Sequence, residues 1–430
     1  MKMPAFNRVV IIISREDYTY NLGGVNKVIV AQTNMFKRRQ IASIFICPFH
    51  IMKGKICKNQ WLIRVDGELA FTGSSNQIID YLSSLNSHQY KTCGTILHHL
   101  KDVNIDDLSG ILTRIKGNIY FYIHDYYSIC PNGSGNLLNE NGQLCNIARI
   151  EEANCSSCLM YKKESQEIKK VFETLRSRLT FIAPSDSCKK IWCGFYKEYQ
   201  EQTVVIYHQK LALRSPIEKI SLDIPIRIAY IGKQSVIKGW EDFKLIISKL
   251  AKLDKFYSFF SLGEDRERID NVNNVRVDFH EELNSMVEAI KSNGVQVVLL
   301  LSICPETYSY TYYESFAANA FILAYSNSGN IADQIIKRGN GRVFVSAEEI
   351  ISYLQEPNNL IDDFNLYIDR KTDIPSQLTE NDQIIDIILK NDPVSITEST
   401  KKYKPIITTV FKIGYYILEN KLKKYIKLIG

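Results

Sequence analysis

The sequence predicts an α/β protein built from two doubly wound parallel sheets. Three observations predict it. Short apolar runs rich in β-branched residues recur along the chain, at residues 9–13, 226–231 and 297–303 among others. Such unbroken runs are what strands buried on both faces of a parallel sheet leave in a sequence. Between them stand segments with helical period and short connectors, the pattern of βα units. At 430 residues the chain is also long enough for two separate cores.

Composition narrows the class. An apolar content of 45% with 23% charged residues is ordinary for a globular protein. The net charge of +6 is mild for this length; it suits an anionic substrate or an acidic membrane surface and gives no sign of nucleic-acid binding. The run at 9–13 is too short for the apolar region of a secretion signal, and no run approaches the roughly 20 apolar residues of a membrane span. A cytoplasmic location is therefore expected, with the ten cysteines as thiols or metal ligands rather than disulfides.

The first half reads in order as follows. Residues 8–14 form a buried strand, then Gly23 and Gly24 precede a helix over 26–38 with Val28, Ile29, Met35 and Phe36 on one face. Paired glycines between strand and helix permit positive φ and close approach to a ligand. Residues 42–47 make a second strand, and 61–73 a hairpin around Asp66-Gly67. Residues 118–124 are a strand with His124-Asp125 at its carboxyl end, where open α/β sheets bind ligands. His124 is thus a site candidate, with Asp125 to orient it or to meet an acceptor. Cys130, Cys145, Cys155 and Cys158 follow within 29 residues. A structural zinc, free thiols, an iron–sulfur cluster or a disulfide all remain open for them. A helix over 164–179, a strand over 179–183 and a helix capped at Ser185 lead to a last strand, 203–207, with His208 at its end. Residues 1–215 form the first domain, with a cysteine-rich insertion at 128–160.

In the second half, 209–225 reads as a linker. Strand 226–232 is followed by Lys233 and Lys238, two cations at a strand end that would stabilise a leaving diphosphate. A helix over 242–252, strands over 257–262 and 274–279, and a helix over 283–293 continue the alternation. After the strand at 297–303 come two acids, Glu306 and Glu314, then a helix over 312–320 and a strand over 321–324. Ser328-Gly329-Asn330 opens a further helix, followed by a strand over 341–346 and a helix over 347–354. Residues 357–375 read as irregular and 376–392 as helical, which closes a second domain at 216–400. The tail, 401–430, is a basic amphipathic helix, packed on the core or lying on anionic lipid.

The Glu306–Glu314 stretch carries the chemistry. A loop ending at a helix N-terminus presents unpaired N–H groups and suits phosphate. Carboxylates accept from sugar hydroxyls. Together they would bracket a nucleotide-sugar.

The spacing of Glu306 and Glu314 resembles the E-x7-E region of retaining GT-B glycosyltransferases, the family 4-like group also called glycosyl transferases group 1. The resemblance extends from Gly23 to about Ile335. It implies two Rossmann-like domains facing a cleft, with Glu306 on the donor sugar, Glu314 on the ribose, and the backbone of Thr307, Tyr308, Ser309, Tyr310 and Thr311 on the diphosphate. It places Gly23 and Gly24 facing the donor diphosphate and the acceptor, and His124 beside the donor sugar or a nearby phosphate. The family's G-R-x4-K-G is matched by Lys238, with Lys233 in the arginine's place. Asn319 and Ser328 stand where glycines are usual. Some members carry a similar HD…CP…C…C-x2-C insertion. The implied reaction moves a hexose-type sugar from a nucleoside diphosphate to a glycan or lipid-linked acceptor, with retention and no cofactor required for catalysis. Surface polysaccharide or glycolipid assembly is the implied setting, with peripheral contact at the inner face of the membrane. A nucleotide-sugar epimerase or hydrolase, and a non-catalytic partner subunit, remain as rivals.

Overall fold

The structure, a computed structural model, describes residues 3–19, 23–51, 55–87, 90–131, 135–139, 141–146, 150, 155, 158, 163–214, 222–263, 267–277, 284–369 and 374–391. The basic tail and just under half of the cysteine-rich insertion lie outside the described residues.

The chain begins with β1 (Arg8–Ile13), whose RVVIII run is buried after its first residue. It continues through α1 (Gly24–Arg38), β2 (Ile41–Ile51), β3 (Lys55–Val65) and β4 (Glu68–Gly73). Then come α2 (Ser75–Ser87), β5 (Lys91–Leu97), α3 (Ile105–Arg114), β6 (Ile119–Tyr122), α4 (Lys163–Leu175), β7 (Leu179–Ala183), α5 (Asp186–Phe195) and β8 (Thr203–Val205). These strands form one eight-stranded sheet in the order β4-β3-β2-β1-β5-β6-β7-β8. It is parallel from β2 through β8, while β3 and β4 add an antiparallel edge. The β3–β4 turn has Asp66 at φ 50 and Gly67 at φ 84, the left-handed pair a two-residue hairpin demands.

After β9 (Gln209–Arg214) the second sheet is built from β10 (Ile226–Ile231), α6 (Trp240–Leu250), β11 (Tyr257–Gly263), β12 (Val272–Arg276), α7 (Ser285–Ser292) and β13 (Val297–Leu300). It is completed by α8 (Tyr310–Ala317), β14 (Phe321–Tyr325), α9 (Asn330–Arg338) and β15 (Gly341–Phe344). All its pairs are parallel, in the order β12-β11-β10-β13-β14-β15. Then follow α10 (Ala347–Gln355), α11 (Pro357–Asp369), β16 (Ile374–Glu380) and α12 (Gln383–Lys390). Each sheet reverses its order once, between β1 and β5 in the first and between β10 and β13 in the second. At such switch points the connections leave in opposite directions and open a crevice.

Three expectations are corrected here. Residues 209–225 are not all linker: β9 pairs antiparallel with β16, so the first five residues of the expected 376–392 helix are strand. The stretch expected to be irregular contains α11, because Leu360, Phe364 and Tyr367 fall on one face and join the second core. The helix α12 lies within 216–400 by number, yet Ile384, Ile385 and Ile388 pack with Val10, Ile12, Tyr120 and Tyr122 of the first sheet. The chain thus crosses back and ties the two halves. Among the described residues no helix is long and apolar enough to cross a membrane.

Candidate active site

The two switch points face each other, and a cavity of about 310 Å³ lies between them. Gly24, Val25, His124 and His208 line it from the first sheet's side; Gly232, Lys233, Lys238, Ser302, Glu306 and residues 307–311 line it from the second.

Glu306 is fixed from three directions. Ser302 Oγ donates to its Oε1 at 2.8 Å, and Lys238 Nζ donates to the same oxygen. Its main chain is bracketed by Glu306 N–H to Ser328 O at 3.1 Å and Asn330 N–H to Glu306 O at 2.9 Å. Lys238 reaches it because Gly239, at φ 72, turns the chain against the end of β13; a Cβ there would overlap the Leu301 carbonyl. Burial pulls the Lys238 ammonium down, but the Glu306 carboxylate beside it and the hydrogen bond between them outweigh this, so its pKa is raised and it stays charged. Burial and then the Glu306 charge push the Cys304 thiol up to about 11. Lys233 lines the same wall, its carbonyl held by the Tyr230 hydroxyl at 2.7 Å.

Residues 307–311 lead into α8. Ser309 takes φ 70 and caps the helix, its Oγ accepting the Tyr312 N–H at 3.3 Å. The first amides of α8 and its partial positive charge therefore face the cavity. At the other end of the helix Asn319 adopts φ 64. Asparagine tolerates this left-handed position, so the departure from glycine there costs little geometry.

Three predicted residues sit differently. Glu314 is buried behind the wall instead of lining it, 3.8 Å from Lys27 Nζ on α1. Burial raises its pKa and Lys27 offsets this in part. Gly23 and Gly24 do not use the left-handed region: Gly23, at φ −63, is the N-cap of α1, and Gly24 begins the helix. Only Gly24 lines the cavity, where a Cβ would lie 3.5 Å from the Tyr310 ring. What matters there is the missing side chain.

His124 is joined by two histidines that sequence reasoning did not select. His98 follows β5, and its Nδ1 is 2.8 Å from His124 Nε2, so one ring nitrogen donates to the other. His208 lies 5.4 Å from His124 and 4.6 Å from Tyr308, ring centre to ring centre. Asp125 does not orient His124; it pairs with His99 and accepts the Tyr127 N–H at 2.9 Å. The strand-end rule that picked His124 would have found the others, had it been applied to β5 and to residues 203–208.

Burial lowers His98 and His208 to about 3 and His124 well below its ordinary value, with neighbouring imidazoles adding to the effect on His98 and His124. The unfolded chain protonates these rings near pH 6.5, the folded chain only far below it. Between those limits the unfolded state binds more protons, so this stability is full above about 6.5 and is lost as pH falls toward 3. Melting temperature is accordingly expected to drop between about pH 7 and about pH 5, and His98→Gln to flatten that drop. An unchanged slope in the variant would show that the folded protein accepts the proton.

Cys145 is raised by burial and by the adjacent Cys130 and Cys158 thiols, and Cys130, Cys145 and Cys155 pack on the first core. Among the described residues no group of three or more His, Cys, Asp or Glu side chains is placed to hold a metal ion.

No family model matches the sequence, and no curated protein does. The architecture does match solved structures. HepE of Anabaena, crystallised with UDP-glucose, superposes with a TM-score of 0.50 at 10% identity, over 89% of this chain and 98% of that one. A glycosyltransferase from Rickettsia africae gives 0.50 at 13%, over 90% and 99%. The chain has the GT-B fold. In GT-B terms the β1/β5 and β10/β13 switch points are the two walls of the interdomain cleft, and the return of α12 to the first sheet is the strap that joins them.

Proposed function

We propose that the chain transfers a sugar from a nucleoside diphosphate donor to a hydroxyl acceptor, with retention at the anomeric carbon. The observation that supports this best is the Lys238–Glu306 pair beside the N-terminus of α8 at the switch point of the second sheet. A cation, a carboxylate and a set of amides stand on one wall, each suited to a different part of a nucleotide-sugar. Lys233, Lys238 and the amides of 307–311 would receive the diphosphate, and Glu306 would accept from the sugar hydroxyls.

The bond from the anomeric carbon to the phosphate oxygen breaks as the acceptor oxygen bonds to the same face. The acceptor proton passes to the departing phosphate, and no protein nucleophile is needed. The lysines stabilise charge as it grows on the leaving group. The neutral His124 and His208 close the opposite side around the sugar. A glycan or lipid-linked hydroxyl in surface polysaccharide or glycolipid assembly is the acceptor this reading favours, with the chain on the cytoplasmic face.

UDP-glucose is the first donor to test, because HepE was crystallised with it. Nucleotide release is measured for a panel of sugar nucleotides with and without glycan and lipid-linked acceptors, and the anomer of the product is read by NMR. Acceptor-dependent release with a retained anomer is expected. Donor consumption that ignores the acceptor would indicate hydrolysis or epimerisation instead, and no consumption across the panel would leave a binding role.

A further inference from the structure

Ser185 is fully buried at the start of α5, and its hydroxyl is engaged twice. It accepts the Cys188 N–H at 3.1 Å, capping the helix. It donates its one proton to the Thr307 carbonyl at 2.6 Å, across the cleft. Thr307 returns the contact: its hydroxyl donates to the His124 carbonyl at 2.7 Å. Capping needs only the acceptor half of Ser185. The donated proton is therefore spent on the facing domain.

Thr307 immediately follows Glu306 and opens the run of amides that lines the cavity. The peptide unit that contains its carbonyl also contains the Tyr308 N–H. A hydrogen bond donated to one end of a peptide polarises the other, making that N–H a stronger donor. The first residue of the loop is thus held by two hydrogen bonds to the first domain, one accepted and one donated. Near the other end of the segment, Lys27 faces Glu314 from that same domain. Cys304 adds a weaker tie, its Sγ lying 3.7 Å from Asn136 Oδ1.

We propose that Ser185 is a positioning residue for the donor site: acting through the Thr307 carbonyl, it sets the loop that receives the diphosphate and links donor binding to closure of the cleft. Ser185 itself lies outside the cavity lining, so its effect reaches the donor only through Thr307. The proposal rests on the donor reading of the cavity given above. It predicts reciprocity: if closure orders the loop, a bound diphosphate favours closure by the same factor.

The test compares Ser185→Gly, Ser185→Thr and the unaltered full chain. Glycine is tolerated at an N-cap with a loss of only a few tenths of a kcal/mol, so it removes the cross-cleft proton while sparing α5. Threonine keeps both roles. UDP, GDP, ADP and TDP are titrated into each protein by calorimetry, and donor KM and kcat are measured alongside melting temperature. Ser185→Gly is expected to weaken nucleoside diphosphate binding about 5- to 10-fold, the worth of one hydrogen bond. Donor KM should rise by the same factor with kcat at saturation within about twofold, and Ser185→Thr should restore both. If Ser185→Gly fails to fold, Ser185→Cys keeps the shape with a weak donor and is read the same way. Equal affinity in the unaltered and variant chains overturns the proposal. An unaltered chain that binds a nucleoside diphosphate but turns over no sugar donor sinks the transfer reading alone, and the Ser185 comparison still stands. One that binds none of the four sinks both.

Discussion

Lys238→Ala is expected to lower kcat for sugar transfer by about 10²- to 10³-fold, the usual effect of deleting one group that stabilises a leaving oxyanion. The size follows from where the charge sits. Lys238 comes from the turn after β10, on a backbone that only Gly239 can close against Leu301, and its Nζ rests on Glu306 Oε1 beside Ser302. Its pKa is raised on balance, so it carries its charge at neutral pH. A diphosphate entering the cavity offers the ammonium a second partner whose charge grows during the reaction, whereas the charge on Glu306 does not. The interaction is therefore stronger in the transition state than in the ground state, and its loss appears in kcat more than in KM. Lys238→Arg keeps the charge but replaces a compact ammonium with a planar fork, so partial recovery is expected. Steady-state kinetics with melting curves for each variant separate this from a folding defect. Normal turnover by a folded Lys238→Ala protein would remove Lys238 from the leaving-group site.

The parts of this site that could be read from sequence are those whose signal is local. The strands β1, β10 and β13 are predominantly apolar runs because both their faces are covered, and the residues after each are strand-end residues by definition. That is why the sequence alone assigns Lys233, Lys238 and Glu306 to one wall. Non-local features left little trace. The pairing of β9 with β16 joins segments some 160 positions apart, and neither QKLALR nor IPSQLTE names its partner. The stripe Ile384, Ile385, Ile388 announces a helix that must bury one face, but an apolar stripe fits either core, and it went to the first. Glu314 illustrates a subtler limit. Spacing fixed it one turn into α8, while whether that turn faces the cavity or Lys27 depends on how α1 packs against α8 across the cleft. Helix α11 is a different case, since Leu360, Phe364 and Tyr367 keep helical spacing and were masked only by the polar residues around them.

Gly329→Ala should destabilise the protein by about 1–3 kcal/mol from backbone strain alone and remove most transfer activity. Gly329 sits at φ 63 and ψ −121, a region closed to residues with a Cβ. An added Cβ would lie 2.8 Å from both Glu306 N and Glu306 O and 2.9 Å from Pro305 Cα. Every one of these atoms is main chain, so no rotamer change can relieve the contact, and it must be relieved by moving Glu306. The two hydrogen bonds that bracket Glu306, to Ser328 and from Asn330, run through the same narrow place and would lengthen together. A displacement of about 1 Å at a reacting group is enough for a loss of roughly 10²-fold. Gly110→Ala supplies the control. Gly110 lies inside α3 with nothing within 4 Å of its Cβ position, so the same substitution should stabilise, by up to about 1 kcal/mol. Chemical denaturation and transfer assays on the two variants should therefore diverge in both readouts. If Gly329→Ala matched Gly110→Ala in stability and activity, the loop after β14 would not be what holds Glu306 in place.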